Sequence, residues 1–407
     1  MTRRRSIHDF LLNGITYVAA LLSVLVLLGI FSFVIVRGKD TLSWDMLRSN
    51  YWSENYLLGF SKTESEMFAN PGNLNSGDVF NESYGIAVRD DKNHEGKQTV
   101  IVTYIDEKSP FNSTYNLTAG SQFEKQQVMH RGDAIERITM HDSQGNRMIS
   151  GHVAGDDAHA LSLKLDQAQR LESIYFKTQS GGIWGSILAT LLLIATSLLF
   201  ALPLGIGAAL YLTEIAPDTA MTRMLESSIE MLAGVPSIIF GLLGIAVLFP
   251  ITAFFNVSGL SILLGGMTMA IILLPVIIRS VKESLLVVPD GLRSASLSLG
   301  GTQTQTIFKV VLPSALPGIL SAVLLSVSRI IGESAALIYT MGTFVNDVPG
   351  LTQGGTTLAV HIWSVMSQEQ PNFELASAIS IVILALVLIL NLTVKYISKQ
   401  LQKRMGY

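Results

Sequence analysis

The chain contains no cysteine. That absence excludes disulfides, thiolate metal sites and cysteine nucleophiles together. Charge is also scarce. Asp, Glu, Lys and Arg make up 14% of the 407 residues, against about 25% in soluble globular proteins. No Gly-x4-Gly-Lys-Ser/Thr phosphate loop occurs, so the chain is not expected to hydrolyse ATP. There is no His-Glu-x-x-His, no Ser/His/Asp order stands out, and the seven histidines do not cluster. The expectation is no catalytic residues, no metal, no cofactor and no nucleic-acid partner. His361 falls in the loop before the last apolar run, where an interfacial role is expected.

What is present is apolar length. Hydrophobic residues make up 49% of the chain, and the mean hydropathy is +0.44. After Arg3–Arg5, an apolar run extends from about Phe10 to Val36. It is too long for a signal-peptide core of about 7–15 residues, and no small-x-small cleavage site follows. It reads as a retained helix able to cross about 30 Å of hydrocarbon. Further helices are expected near 183–213, 227–250, 259–284, 314–341 and 373–396, which makes six.

Between them, residues 40–180 change character, with 13 basic and 20 acidic side chains. Gln98–Ile105 and Leu161–Leu165 alternate as half-buried strands do. Asn70–Gly77 and Asp142–Asn146 read as turns. The expected organisation is a first helix in 1–39, one inserted domain in 40–180 and a five-helix core in 181–407. Asn81, Asn112 and Asn116 open Asn-x-Ser/Thr triplets, which matter only in a glycosylating secretory pathway.

The distribution of Lys and Arg predicts the orientation. Arg3–Arg5 are expected in the cytoplasm, as are Arg223, Lys282, Arg293, Lys309 and the C-terminal Lys395, Lys399, Lys403 and Arg404. Both termini are then cytoplasmic and the 40–180 domain lies outside. Arg37 and Lys39 run against this pattern.

Some charge sits where lipid is expected. Arg329 and Glu333 fall in the middle of the 314–341 helix, and Arg279 and Glu283 repeat their i,i+4 spacing near the inner end of the preceding one. A charge at the bilayer centre costs roughly 2.5–3.5 kcal/mol even on gentle scales, so such residues face a cavity or a partner. Two guanidiniums suit a tetrahedral oxyanion, because each offers paired donors. The carboxylates balance the empty site or accept from a protonated oxyanion. The competing readings are a snorkelling Arg279 and a structural ion pair at Arg329. Gly234, Pro236 and Gly241 interrupt the 227–250 helix, either lining a cavity or packing closely. Ser237 beside them offers a hydroxyl to substrate.

Residues 288–313 form the loop before the fifth helix. Arg293–Leu299 predicts a short amphipathic helix with Leu292, Ala295 and Leu299 on one side, ended by Gly300. Pro313 marks the start of the next span. Such a helix is either a docking element or a plain connection.

This loop resembles the coupling loop of ABC importer permeases, Glu-Ala-Ala-x3-Gly-x9-Ile-x-Leu-Pro. Ser294, Ala295, Ser296, Gly300, Val310, Leu312 and Pro313 occupy its positions, with Ser294 in place of the glutamate and Ser296 in place of the second alanine. Gly234–Gly244, Leu274–Arg279 and Ser328–Ala336 resemble the phosphate-type members, and Thr356–Trp363 resembles the PstA-like subunits among them. The resemblance implies a PstC-like permease partner, a PstB-like ATPase dimer that hydrolyses the ATP, and a periplasmic or surface phosphate-binding protein. It implies phosphate as substrate and a bacterial cytoplasmic (inner) membrane location. It places Arg279, Glu283, Arg329, Glu333 and Ser237 on the substrate path. It places Arg293, Ser294, Ala295, Ser296 and Gly300 at the ATPase coupling site.

The inserted domain departs from that family's usual short connection. Tyr84-Gly-Ile-Ala-Val, Val102–Phe111 and Gly132-Asp-Ala-Ile-Glu-Arg-Ile resemble a PDZ-like order of strand, strand and turn before a strand. It would dock an envelope partner at a sheet edge or act as a spacer. The expected fold is thus an all-α polytopic membrane protein, six helices of the ABC importer permease type, with an inserted extracytoplasmic α+β domain that is PDZ-like. Sulfate or molybdate import and a membrane sensor or scaffold are the alternative functions.

Overall fold

The computed structural model describes residues 3–405 except 73, 93–97, 119–122, 179–180, 255, 258 and 369–370. The chain divides into two compact units, one of residues 45–182 and one of the remainder.

The helix α1 (Arg3–Gly38) opens the membrane unit. Among the described residues, six helical segments are long and apolar enough to cross a membrane: Asn13–Gly38, Trp184–Ile215, Ser237–Phe254, Ile262–Leu286, Gln303–Gly332 and Phe373–Gln400.

The 45–182 unit is built on one sheet. A short helix α2 (Trp44–Arg48) leads to β1 (Asn55–Phe60), β2 (Val79–Asn81), β3 (Ile86–Lys92), β4 (Gln98–Ile105), β5 (Thr114–Asn116), β6 (Ala134–Asp142) and β7 (Arg147–Ser150). Helix α3 (Ala158–Gln167) and β8 (Ala168–Lys177) complete it. The strand order is β2-β3-β4-β6-β8-β1-β5, with β7 paired to β6. Inward residues of β1, β3, β4, β6 and β8, including Leu58, Ile86, Val102, Ile138 and Ile174, form one core with Leu161 and Leu165 of α3.

Residues 161–165 are therefore helical, not a strand. Leu161, Leu163 and Leu165 alternate, but Leu161 and Leu165 also lie one turn apart and are both fully buried, while Leu163 is exposed. Asp157 starts the helix by accepting from the Ala160 amide at 2.7 Å, a typical N-cap. Asn81 and Asn116 are buried, and Asn81 Nδ2 donates to Ser162 O, so neither is an open acceptor for glycosylation.

The rest of the membrane unit runs from α4 (Trp184–Leu210), extended by a π-turn at Tyr211–Ile215. Then come α5 (Ala220–Ala233), α6 (Ser237–Leu243), a π-turn at Gly244–Leu248 and α7 (Phe249–Phe254). α8 (Ile262–Leu286) precedes the short α9 (Asp290–Ser298). The following span is α10 (Gln303–Thr306), a π-turn at Ile307–Val311 and α11 (Leu312–Gly332). α12 (Ala335–Thr340), α13 (Leu358–Met366) and α14 (Phe373–Met405) close the chain.

α4 and α8 meet through glycines. A Cβ on Gly205 would lie 2.6 Å from Ile277 Cγ2, and one on Gly266 2.6 Å from Thr196 Cγ2. Small residues are what let helices approach this closely in lipid.

Four expectations change here. The 227–250 helix is two helices: α5 ends at Ala233, and Pro236 precedes α6. Pro236 is extended, and Pro restricts the residue before it away from helix. The 314–341 helix is likewise two, broken after Gly332. The fifth span begins at Gln303 rather than Pro313, behind a Thr302 capping box. Pro313 has no N–H for the carbonyl of Lys309, and the helix carries its π-turn there. Finally, His361 lies in α13, fully buried, with Nδ1 2.8 Å from Ser186 Oγ; it is no interfacial loop residue.

Candidate functional site: membrane-depth charges and the α9 loop

The break after Gly332 decides how the charged residues relate. Glu333 is extended (φ −77, ψ 131) and caps the end of α11. Its Oε1 accepts from the Ala336 amide at 3.3 Å, at the start of α12. Arg329 and Glu333 are thus not one turn apart on a continuous helix. No ion pair joins them among the described residues, and Arg329 Nε is buried without a hydrogen-bond acceptor among those residues. An unmade bond from a buried donor costs about 1–3 kcal/mol, more for a charged group.

Arg279 and Glu283 do sit one turn apart, with Nε 3.1 Å from Oε1. Their side chains are 74% and 64% exposed on the chain's surface. α8 and α11, which carry the two arginines, pack together. Ser237 is the first residue of α6, which packs on α12. Gly241 explains that contact, since a Cβ there would meet Ala336 O at 2.8 Å. Gly241 therefore serves close packing. Gly234 and Pro236 flank the non-helical link between α5 and α6.

α9 has two faces. Leu292, Arg293 and Ser296 are part-buried against the bundle, while Ser294, Ala295, Leu297 and Leu299 are exposed. Leu299, at 90% exposure, does not share a buried side with Leu292. Gly300 follows with φ +85. Its amide bonds Leu297 O at 3.0 Å, and Gly301 bonds Ser296 O at 3.1 Å. These two bonds form a Schellman stop, which calls for a left-handed residue.

Arg293 points inward. Its Nη2 and Nε lie 2.7 and 3.2 Å from the two carboxylate oxygens of Glu214. That fork holds the guanidinium pKa above its ordinary value. Glu214 carried no functional expectation, because its partner is 79 residues away. Its only sequence signal was a lone acid at the end of a long apolar run. Lys282 of α8 bonds Glu226 of α5 in the same region, another pairing that spacing did not reveal.

Residues 201–407 match the model of the family described as binding-protein-dependent transport system inner membrane component. A probable ABC transporter permease, YqgI of Bacillus subtilis (strain 168), is 30% identical over 240 residues, covering 55% of this chain and 80% of that protein. The phosphate transport permease PstA 1 of Mycobacterium tuberculosis (strain H37Rv) is 36% identical over 163 residues, 40% of this chain and 51% of that protein. PstC of Xylella fastidiosa (strain Temecula1) is 32% identical over 201 residues, 44% of this chain and 60% of that protein. The chain thus spans about half the length of some curated relatives it matches. A solved methionine ABC transporter, MetNI in an inward-facing conformation, aligns at TM-score 0.42 and 21% identity, covering 54% of this chain and 94% of that chain. On the family match over 201–407 and the relative matched across most of its length, the chain belongs to the binding-protein-dependent transport system inner membrane components, the non-enzymatic multi-pass permease subunits of ABC importers.

Proposed function

We propose that this permease carries inorganic phosphate into the cytoplasm by alternating access, driven by a separate ATPase dimer. The observation that carries the reading is Arg329, whose buried Nε lacks an acceptor among the described residues, beside a break in a membrane helix. Irregular backbone at membrane depth is tolerated where it is packed in protein or lines a water-filled cavity. A guanidinium donor there suits an oxyanion. Relatives named as phosphate permeases support phosphate as that oxyanion.

In this account Arg279, Glu283, Arg329, Glu333 and Ser237 line the path. The second permease of the complex is PstC-like, the ATPase PstB-like, and a phosphate-binding protein delivers the substrate from outside. The exposed face of α9, with Ser294, Ala295, Leu297 and Leu299, docks the ATPase. Gly300 sets where that face ends. The termini lie in the bacterial cytoplasm, and residues 40–180 form an extracytoplasmic domain. Its antiparallel order β3-β4-β6-β8-β1, with β7 on β6 and α3 before the last strand, supports a PDZ-like reading.

ATP-dependent uptake of radiolabelled phosphate by the reconstituted complex tests the proposal. Uptake that withstands excess sulfate and molybdate is the expected result. Uptake displaced by either competitor would assign another oxyanion, and no uptake of any of the three would overturn the transport reading.

A further inference from the structure

Arg293 carries more contacts than a surface residue needs. Besides the fork on Glu214, its Nη1 donates to Val288 O at 2.6 Å and to Asp290 Oδ1 at 3.2 Å, and its Nη2 to Leu285 O at 3.0 Å. All three guanidinium nitrogens are engaged. The side chains of Arg293 and Glu214 are only 20% and 10% exposed. A planar fork on a carboxylate fixes orientation as well as distance, which a point charge does not.

The two ends joined by this residue belong to different spans. Glu214 lies in the π-turn that ends the α4 span. Leu285 is in the last turn of α8, and Val288 follows it. The junction has two further ties. Gln303 Nε2 donates to the Glu214 carbonyl at 3.1 Å, and Ser296 Oγ lies 2.8 Å from Thr306 Oγ1. Thr306 directly precedes the π-turn of the next span. The inner face of α9 is therefore tied by polar side chains to the ends of three spans, while its outer face is exposed.

We propose that the Arg293–Glu214 pair is a positioning strut that makes α9 move as one body with the ends of α4 and α8. A push on the outer face of α9 then reaches the spans instead of being absorbed by the 288–313 loop. Arg293 acts through the strut and not by touching the ATPase. This rests on reading α9 as the ATPase-docking element. Neutralising Glu214 leaves the mostly buried guanidinium with Asp290 and two carbonyls but without the fork that fixes it to the α4 span, and Arg293→Lys replaces the planar fork with a point charge.

The test uses the assembled complex with native Arg293 and Glu214, with Glu214→Gln, with Arg293→Lys and with Leu299→Glu. In Glu214→Gln and Arg293→Lys, the ATPase should co-purify as in the native complex. ATP hydrolysis should stay within about two-fold while phosphate uptake falls roughly ten-fold or more, the order expected when a charged hydrogen bond is lost. The ATP consumed per phosphate imported then rises. Because the chain has no cysteine, spin labels placed by Ser298→Cys and Asp218→Cys report α9 against the end of the α4 span. Their distance should stay narrow through the ATP cycle with the pair intact, and broaden in Glu214→Gln. An unchanged ATP-to-phosphate ratio with an unbroadened distance would overturn the strut, as would loss of the ATPase from either strut variant. Leu299→Glu isolates the docking reading: retention of the ATPase there removes that reading, and the label distances still judge the strut.

Discussion

Glu333 Oε1 accepts from the Ala336 amide in the first turn of α12 at 3.3 Å, and Arg329, four residues earlier across the helix break, keeps a buried Nε that no acceptor meets among the described residues. The carboxylate's structural role is separable from its charge. Glu333→Gln retains an oxygen for the Ala336 amide and should leave thermal stability unchanged, whereas Glu333→Ala should cost about 1 kcal/mol as a lost hydrogen bond does. Thermal unfolding of the purified complex checks this. Equal losses in both variants would show that the charge, not the hydrogen bond, holds the break.

Packing at Gly241 should be intolerant. A methyl there meets the Ala336 carbonyl oxygen at 2.8 Å and its Cα at 2.9 Å, and backbone cannot swing aside. Gly241→Ala should destabilise by about 1–3 kcal/mol, the usual cost of overpacking. Gly207→Ala, with nothing within 4 Å of the added carbon, is the matched control and should be neutral or stabilising. The midpoint of heat unfolding in detergent separates them.

Gly300 is demanded by conformation and not by space. Among the described residues beyond its chain neighbours, nothing lies within 4 Å of a Cβ there, yet φ is +85. Gly300→Val should cost about 1–2 kcal/mol for the left-handed backbone and reorient the exposed α9 face. Weaker ATPase co-purification from an otherwise stable bundle is expected. Gly300→Asn, which tolerates that backbone better, should recover most of it.

Acid should weaken the membrane unit through His361. Burial lowers its pKa from 6.5 to about 4, so the folded state holds it neutral while the unfolded chain takes up a proton. A depressed histidine contributes stability that is complete above about pH 6.5 and is lost as pH falls toward 4, roughly 3 kcal/mol over that window. Melting the complex at pH 7.5 and pH 5 measures the loss. His361→Gln should shrink the difference between the two.

The spans were legible because about 20 apolar residues in a row have few other uses. Their interruptions were harder. Gly234 and Pro236 signalled a break, but the apolar run continues across them. Gly332–Ser334 carries no proline at all, so nothing local separated α11 from α12. Residues 161–165 fitted both a two-residue and a helical period, and only the core of the β unit chose between them. At α9, Gly300 was legible from its conformational demand, while the inward turn of Arg293 was not, because Glu214 lies 79 residues away.

The most direct measurement is ATP-driven uptake of radiolabelled phosphate into vesicles holding the whole complex, native against Arg329→Gln. A charged hydrogen bond is worth about 1.5–3 kcal/mol, so uptake at limiting phosphate should fall roughly 10- to 100-fold in an intact, assembled variant. Native-level uptake by Arg329→Gln would contradict the account and return Arg329 to a purely structural role.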